Sequence, residues 1–220
     1  LIAVEIDLRL VEILRKELAQ FDCVEIFPGD ILKFDFTYIS KQYKAKLKVV
    51  GNVPYHISSP VVFHLLAHRS AIRDFTLMLQ KEVVERLVSP PGCKSYGVPS
   101  VLLQMYADLK KLFDVSPGCF YPPPKVSSSV LRGEFLDAPR FALEDEMLFN
   151  RLVRASFVQR RKMLANNLKQ AAFLKELGEE NIKFALDQAR IDGKRRGETL
   201  SVEEFGALSN LLKNQLTNRG

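Results

Sequence analysis

The sequence predicts an α/β fold, a mostly parallel sheet with helices packed on it, followed by a small all-α region. Three observations predict it. Strand-like and helix-like segments alternate through the first half, the pattern of parallel strands joined by helical crossovers. Strand signals stop near Asp137-Ala138-Pro139. Beyond that point apolar residues recur at helical spacing. The 220 residues, 47% hydrophobic and 26% charged, are enough for one mid-sized domain with a small satellite. We therefore expect a boundary near residue 138, with a catalytic unit over 1–138 and a helical unit over 139–220.

Taken in order, residues 1–6 form a short apolar run ending in acids and read as a buried strand. Leu10, Val11, Leu14 and Leu18 are spaced as one face of a helix. Residues 24–27 read as a second strand closed by Pro28-Gly29-Asp30, and 47–50 as a third ending at Gly51-Asn52. Ser58-Ser59-Pro60 reads as a helix start, with a capping hydroxyl and a first-turn proline before residues 61–68. Residues 75–79 are a strand and 82–88 a helix. Residues 98–107 read as helix, 111–115 as strand and 126–135 as a final strand. The last two are expected to pair as an antiparallel edge hairpin. The Pro- and Gly-rich stretch 116–125 between them cannot be a central strand. The later helices are expected over 148–168, 171–177, 182–189 and 202–216, the last opened by an S-x-x-E capping box at Ser201 and Glu204.

No apolar run approaches the roughly 20 residues of a membrane helix. Cys23, Cys93 and Cys119 are odd in number and lack metal-like spacing, as expected of free thiols in a reducing cytoplasm. His64 and His68 are four apart but have no adjacent Glu or third ligand, so no metal site is expected. The net charge of +6 favours a polyanionic partner. The chain opens at Leu1 inside an apolar run, and a lead-in segment before it is expected.

Gly51-Asn52-Val53-Pro54-Tyr55 follows a strand and so sits where ligands bind in open α/β sheets. An Asn amide oxygen can accept a hydrogen bond from an exocyclic amine. A carbonyl on the proline-fixed backbone can accept a second, and the Tyr ring offers a face for a base. Adenine N6 is a poor nucleophile because its lone pair is delocalised; two acceptors on its hydrogens favour a more pyramidal, more reactive nitrogen. A plain turn is the competing reading, since Gly, Asn and Pro are turn residues. Glu5 and Asp30 end successive strands, positions suited to ribose hydroxyls and an adenine ring; Asp7 is the rival to Glu5, and plain surface acids, common at strand ends, are the competing reading for both. Phe120 stands at the head of three prolines, Pro122 to Pro124, and can supply the opposite face of a base sandwich, or pack inward as part of a rigid connector.

Residues 151–169 hold Arg151, Arg154, Arg160, Arg161, Lys162 and Lys169 with no acid, and Lys194-Arg195-Arg196 form a second basic cluster. Solvated faces usually mix signs, so a one-signed helix points to phosphate binding.

These motifs in this order resemble the ribosomal RNA adenine dimethyltransferase family, most closely its bacterial small-subunit, kasugamycin-resistance type. The resemblance rests on Val4-Glu5-Ile6-Asp7, Gly29-Asp30, residues 51–55, Ile57-Ser58-Ser59-Pro60, residues 79–83, Tyr96-Gly97 and residues 120–126. Ser128, Val130, Phe157, residues 159–162, Arg196, Glu198, Leu200 and Ser201 complete it. It implies a Rossmann-like methyltransferase sheet with S-adenosylmethionine as donor, contacted by Glu5 at the ribose, Asp30 at the adenine, and Ile6, Ile31 and Asn52. Asn52 and Pro54 would then lie at methyl transfer, with Tyr55 and Phe120 flanking the target base. Arg151, Arg154, Arg160, Arg161, Lys162, Lys194, Arg195 and Arg196 would hold RNA. The implied substrate is a pair of adjacent adenines near the 3′ end of small-subunit rRNA in the immature 30S particle, modified by a monomeric, metal-free cytoplasmic enzyme. The family's glycine-rich motif is expected before Leu1. His56 and Val53 depart from the family's usual Asn and Leu. The competing readings are a large-subunit adenine methyltransferase of the macrolide-resistance type, a DNA adenine methyltransferase, and a non-catalytic ribosome-assembly factor that binds RNA.

Overall fold

A computed structural model describes residues 1–217. Strand β1 (Ile2–Glu5) leads into helix α1 (Leu8–Glu17), and β2 (Glu25–Pro28) returns parallel to β1 with Glu5 opposite Pro28. Asp7 caps α1 by accepting from the Arg9 N–H at 2.9 Å. Helix α2 (Phe36–Tyr43) follows, capped by Asp35, which accepts from the Tyr38 N–H at 2.9 Å. The aromatic and β-branched residues Phe36, Thr37, Tyr38 and Ile39 hide it from a propensity reading.

Strand β3 (Leu47–Asn52), helix α3 (Ser58–Ala67) and strand β4 (Ile72–Gln80) form a crossover with β3 parallel to β4. Helices α4 (Lys81–Val88) and α5 (Val98–Gln104) then lead to the hairpin of β5 (Ala107–Val115) and β6 (Ser128–Phe135). Strand β6 inserts antiparallel between β4 and β5, giving the order β3-β4-β6-β5. The antiparallel edge hairpin is therefore present. The main sheet is mixed rather than mostly parallel, since β6 runs antiparallel to both neighbours, and β1-β2 form a separate parallel ladder with no hydrogen bonds to β3. Helix α5 also ends three residues before the expected position, because residues 107–110 already pair with β6.

Helix α3 begins at Ser58 but is not capped by a serine hydroxyl. Its N-cap is Ile57, and the Ser58 hydroxyl is buried with no hydrogen-bond partner among the described residues.

No strand follows Phe135 among the described residues. Helices α6 (Glu146–Ser156), α7 (Leu164–Gln170), α8 (Gly178–Gln188) and α9 (Val202–Thr217) complete the fold, with a 3-10 turn at Ala172–Leu177. The expected long helix over 148–168 is two helices joined by a turn. The N–H groups of Leu164 and Ala165 donate to the carbonyls of Arg195 and Gly193 at 2.7 and 3.1 Å. The Asn167 side-chain amide donates to the Ser156 and Gln159 carbonyls. A continuous helix would use these groups internally. The capping box is present: Ser201 N–H donates to Glu204 Oε2 at 2.7 Å and Glu204 N–H to Ser201 Oγ at 3.1 Å. Buried residues from Phe34 through Leu131 to Leu212 form one continuous apolar cluster, so the helical segment packs onto the same core as the sheet.

Candidate active site

Strand direction assembles the site. Parallel β3 and β4 end at Asn52 and Gln80, and antiparallel β6 starts at Ser128 opposite both Gln80 and the last residue of β5, Val115. Asn52, Gln80, Val115 and Ser128 therefore share one edge of the sheet. The Asn52 backbone is fixed by pairing with Met78, and the ladder continues as Val53 N–H donates to the Met78 carbonyl at 3.1 Å. Val53 is buried while the Asn52 side chain stays exposed. The apolar residue anchors the turn and leaves the amide free to meet a ligand.

Pro54 opens a 3-10 turn over Tyr55–Ile57, and its carbonyl accepts from the Ile57 N–H at 3.1 Å. One lone pair of that oxygen remains for a second donor. The Tyr55 hydroxyl lies 2.8 Å from the buried Ser128 hydroxyl, which holds the ring half-buried at the sheet edge. Residues 116–127 form the hairpin loop that ends at Ser128, and Phe120 sits in it, half-buried, on a 3-10 turn at Pro117–Cys119. The Ser127 carbonyl accepts from the Lys81 N–H at 3.0 Å. The Asn52–Tyr55 turn and the base of the Phe120 loop are thus joined. Ser128 had appeared in the sequence only as one residue of a motif; its bond to Tyr55 crosses 73 positions and leaves no local signal.

A second group forms at the ends of β1 and β2. Gly29 N–H donates to the Glu5 carbonyl at 2.8 Å, so the two strand ends touch. A Cβ on Gly29 would stand 2.8 Å from the Phe27 ring, so only glycine fits without moving it. Glu5 Oε1 accepts from Asp7 N–H at 2.8 Å, and Asp30 Oδ1 from Leu32 N–H at 2.9 Å. Each carboxylate keeps acceptor capacity for a ligand hydroxyl or amine. Ile6 is 68% exposed beside Glu5 and Ile31 is half-buried beside Asp30, apolar surface suited to a purine. A nucleoside, whose ribose hydroxyls and exocyclic amine donate, fits these acceptors. Asp7 is otherwise engaged: it caps α1 and pairs with Arg9 at 3.0 Å, and the Arg9 guanidinium holds its carboxyl below the usual carboxylate range. That favours Glu5 over Asp7 as the free acid. No hydrogen bond links this group to the Asn52–Ser128 edge among the described residues.

The basic residues divide. The run Arg160-Arg161-Lys162 lies in the turn between α6 and α7, not on a helix. Arg160 Nη2 donates to the carbonyls of Lys94 and Tyr96 at 2.8 and 2.9 Å and to Glu198 Oε2 at 2.9 Å. Arg195 is paired with Glu204 and with the Thr199 carbonyl. Arg196 approaches Glu198 at 4.0 Å, Lys169 pairs with Glu179, and the Arg151 guanidinium lies 4.3 Å over the Phe173 ring. Arg154, Arg161, Lys162 and Lys194 are exposed and carry no ion pair among the described residues. The one-signed charge of residues 151–169 is thus partly neutralised in space by acids distant in sequence. A cleft of about 470 Å³ lies beside Arg160, lined also by Glu82, Arg86, Lys94, Pro99 and Phe157; its mixed charge was not visible in any local pattern. Cys23, Cys93 and Cys119 are free and exposed.

Comparison with known proteins adds an independent line. The sequence profile described as Ribosomal RNA adenine dimethylase matches residues 1–208. A Syntrophus aciditrophicus protein named Ribosomal RNA small subunit methyltransferase A is 44% identical over 211 residues, 96% of this chain and 75% of that protein. A protein of the same name from Syntrophotalea carbinolica is 45% identical over 192 residues, 87% of this chain and 70% of its own. The crystal structure of a dimethyladenosine transferase from Plasmodium falciparum superposes with a TM-score of 0.75 at 25% identity, covering 94% of this chain and 79% of that one. That of the 23S rRNA methyltransferase ErmE gives 0.66 at 22% identity, covering 96% and 81%, a likeness of fold. An α/β methyltransferase sheet with a helical C-terminal region, an Asn-Val-Pro-Tyr turn at the strand ends and this profile match place the chain in one group: it belongs to the ribosomal RNA adenine dimethylase family.

Proposed function

We propose that the chain transfers methyl groups from S-adenosylmethionine to N6 of two adjacent adenines near the 3′ end of small-subunit rRNA, within the immature 30S particle. The observation that carries the reading is the exposed Asn52 side chain beside Tyr55, whose hydroxyl is bonded to Ser128 at the base of the Phe120 loop. The Asn52 amide oxygen and the Pro54 carbonyl accept the two N6 hydrogens, which draws the nitrogen lone pair out of conjugation and aims it at the incoming carbon. Tyr55 and Phe120 hold the flipped base by its faces. S-adenosylmethionine, the family's methyl donor, supplies an electrophilic methyl on a sulfonium; Glu5 and Asp30 bind its hydroxyls and adenine, with Ile6 and Ile31 against the ring. Arg154, Arg161, Lys162 and Lys194 are the cations free to hold phosphate, with Arg151 and Arg196 beside them.

The relatives at 40–45% identity carry small-subunit names, which favours this substrate over the large-subunit alternative. We further propose that residues 1–138 perform the chemistry, that 139–220 dock RNA, and that the protein acts as a cytoplasmic monomer without metal. No helix among the described residues is long and apolar enough to cross a membrane.

The test is incorporation of labelled methyl into unmodified small subunits by the parent and Asn52→Ala. Loss of one transition-state acceptor lowers turnover by about 10²–10³-fold, with donor affinity unchanged by calorimetry. Near-parental methylation by the variant would remove Asn52 from the site.

A further inference from the structure

We propose that Tyr121 is a second stacking platform, one that holds the base adjoining the target adenine. The inference rests on the RNA-adenine reading above and names a contact which that reading does not contain.

Tyr121 is fully exposed, at 101% of its reference area, while the neighbouring Phe120 is half-buried. Exposed aromatic side chains on mobile loops usually fold back onto apolar surface. This loop resists that. Pro122, Pro123 and Pro124 restrict the backbone after Tyr121. Before it, Cys119 and Phe120 N–H donate to the Ser116 and Pro117 carbonyls at 3.1 and 3.2 Å. The loop's exit is tied by Ser127 to Lys81 and by Ser128 to Tyr55. The ring is presented to solvent by a stiff, anchored segment.

Its placement relative to the site follows from the backbone. Phe120 has extended backbone angles, φ −120° and ψ 152°, and its ring is half-buried while the ring of Tyr121 is fully exposed, so the two adjacent rings meet different surroundings. If Phe120 covers one face of the target base, the Tyr121 ring is offered to solvent one residue further along the same loop. Extruding an adenine leaves the base next to it with an unstacked face. An aromatic ring restores that contact without reading sequence, because every base has a π-face. The local charge agrees: residues 116–129 contain no acid and one exposed cation, Lys125.

The chain contains no tryptophan, so Y121W places a single indole reporter at this position. The probe is a synthetic RNA hairpin with two adjacent adenines in its loop, and copies made abasic on either side of the pair. We expect the hairpin to quench Y121W fluorescence, and one abasic copy to quench it much less. We expect Y121A to bind the intact hairpin about tenfold more weakly, within the range for loss of one stacked base. Y121F should bind as the parent does, and Y121A and the decisive abasic copy should not add their losses. An unquenched indole, parental affinity in Y121A, or losses that simply add would each overturn the proposal while leaving the methyltransferase reading intact. A parent chain that binds no hairpin would also overturn the stacking proposal, whereas the methyltransferase reading is tested separately by methyl incorporation into unmodified small subunits. Melting temperatures of the three variants should match the parent, because the ring buries nothing.

Discussion

The hydroxyls of Tyr55 and Ser128 lie 2.8 Å apart, and this single contact joins the turn after β3 to the strand that closes the Phe120 loop. Ser128 is itself buried between the ends of β4 and β5. Removing the hydroxyl in Tyr55→Phe keeps the ring but frees it to rotate and leaves Ser128 unpaired. A neutral hydrogen bond of this kind contributes about 1 kcal/mol. Turnover should fall roughly fivefold, in proportion to that energy, whereas Tyr55→Ala, which removes the stacking face as well, should lose far more. Methyl-transfer kinetics for the two variants decide this; equal losses would mean that the ring contributes nothing beyond its hydroxyl.

Glu5 and Asp7 separate cofactor binding from helix capping. Glu5→Ala should weaken S-adenosylmethionine in calorimetry and, by freeing the Asp7 N–H, lower the melting temperature modestly. Asp7→Ala removes the acceptor for Arg9 N–H and should lower the melting temperature, with donor affinity retained. The reverse pattern would exchange their roles.

Arg160 and its two neighbours should behave differently despite their adjacency. Arg160→Ala breaks bonds to Lys94, Tyr96 and Glu198 and should lower the melting temperature. Arg161→Ala with Lys162→Ala should leave melting alone, weaken small-subunit binding and reduce its salt dependence by about one unit of slope per lost phosphate contact. A double variant that binds particles like the parent at every salt concentration would leave these two cations as solvated surface.

Asp114 should govern part of the acid sensitivity. Lys111, the Ser129 hydroxyl and Lys81 hold its carboxyl well below the usual carboxylate range, with contacts of 2.7, 2.6 and 2.9 Å. Because the folded value is depressed, the stabilisation is complete above about pH 4 and is lost as pH falls further. Asp114→Asn should therefore melt below the parent at neutral pH, with the gap narrowing in acid. The site is exposed, so added salt should shrink the gap at neutral pH. A gap independent of pH would assign the loss to packing instead.

The sequence by itself determined most of the element types, the family and the turn that carries the chemistry, because each depends on neighbours in the chain. Alternating apolar runs marked the strands, Ser201 and Glu204 marked the start of α9, and Asn52 to Tyr55 followed a strand closely enough to be placed at its end. Tertiary structure decided the rest. The basic stretch after Arg151 read as one helix of one sign, but Gly193 and Arg195 supply the carbonyls that begin α7, and Glu198 reaches Arg160. A Cβ on Gly197 would lie 2.6 Å from the Ser156 carbonyl, so close an approach is encoded by the absence of a side chain and carries no periodic signal. Ser58 read as a helix cap, yet its hydroxyl is buried without a partner, since capping depends on the backbone angles before the helix. Local sequence sets what each segment can form; which acid meets which cation, and which hydroxyl meets Tyr55, is fixed only when segments tens of residues apart pack on a common core.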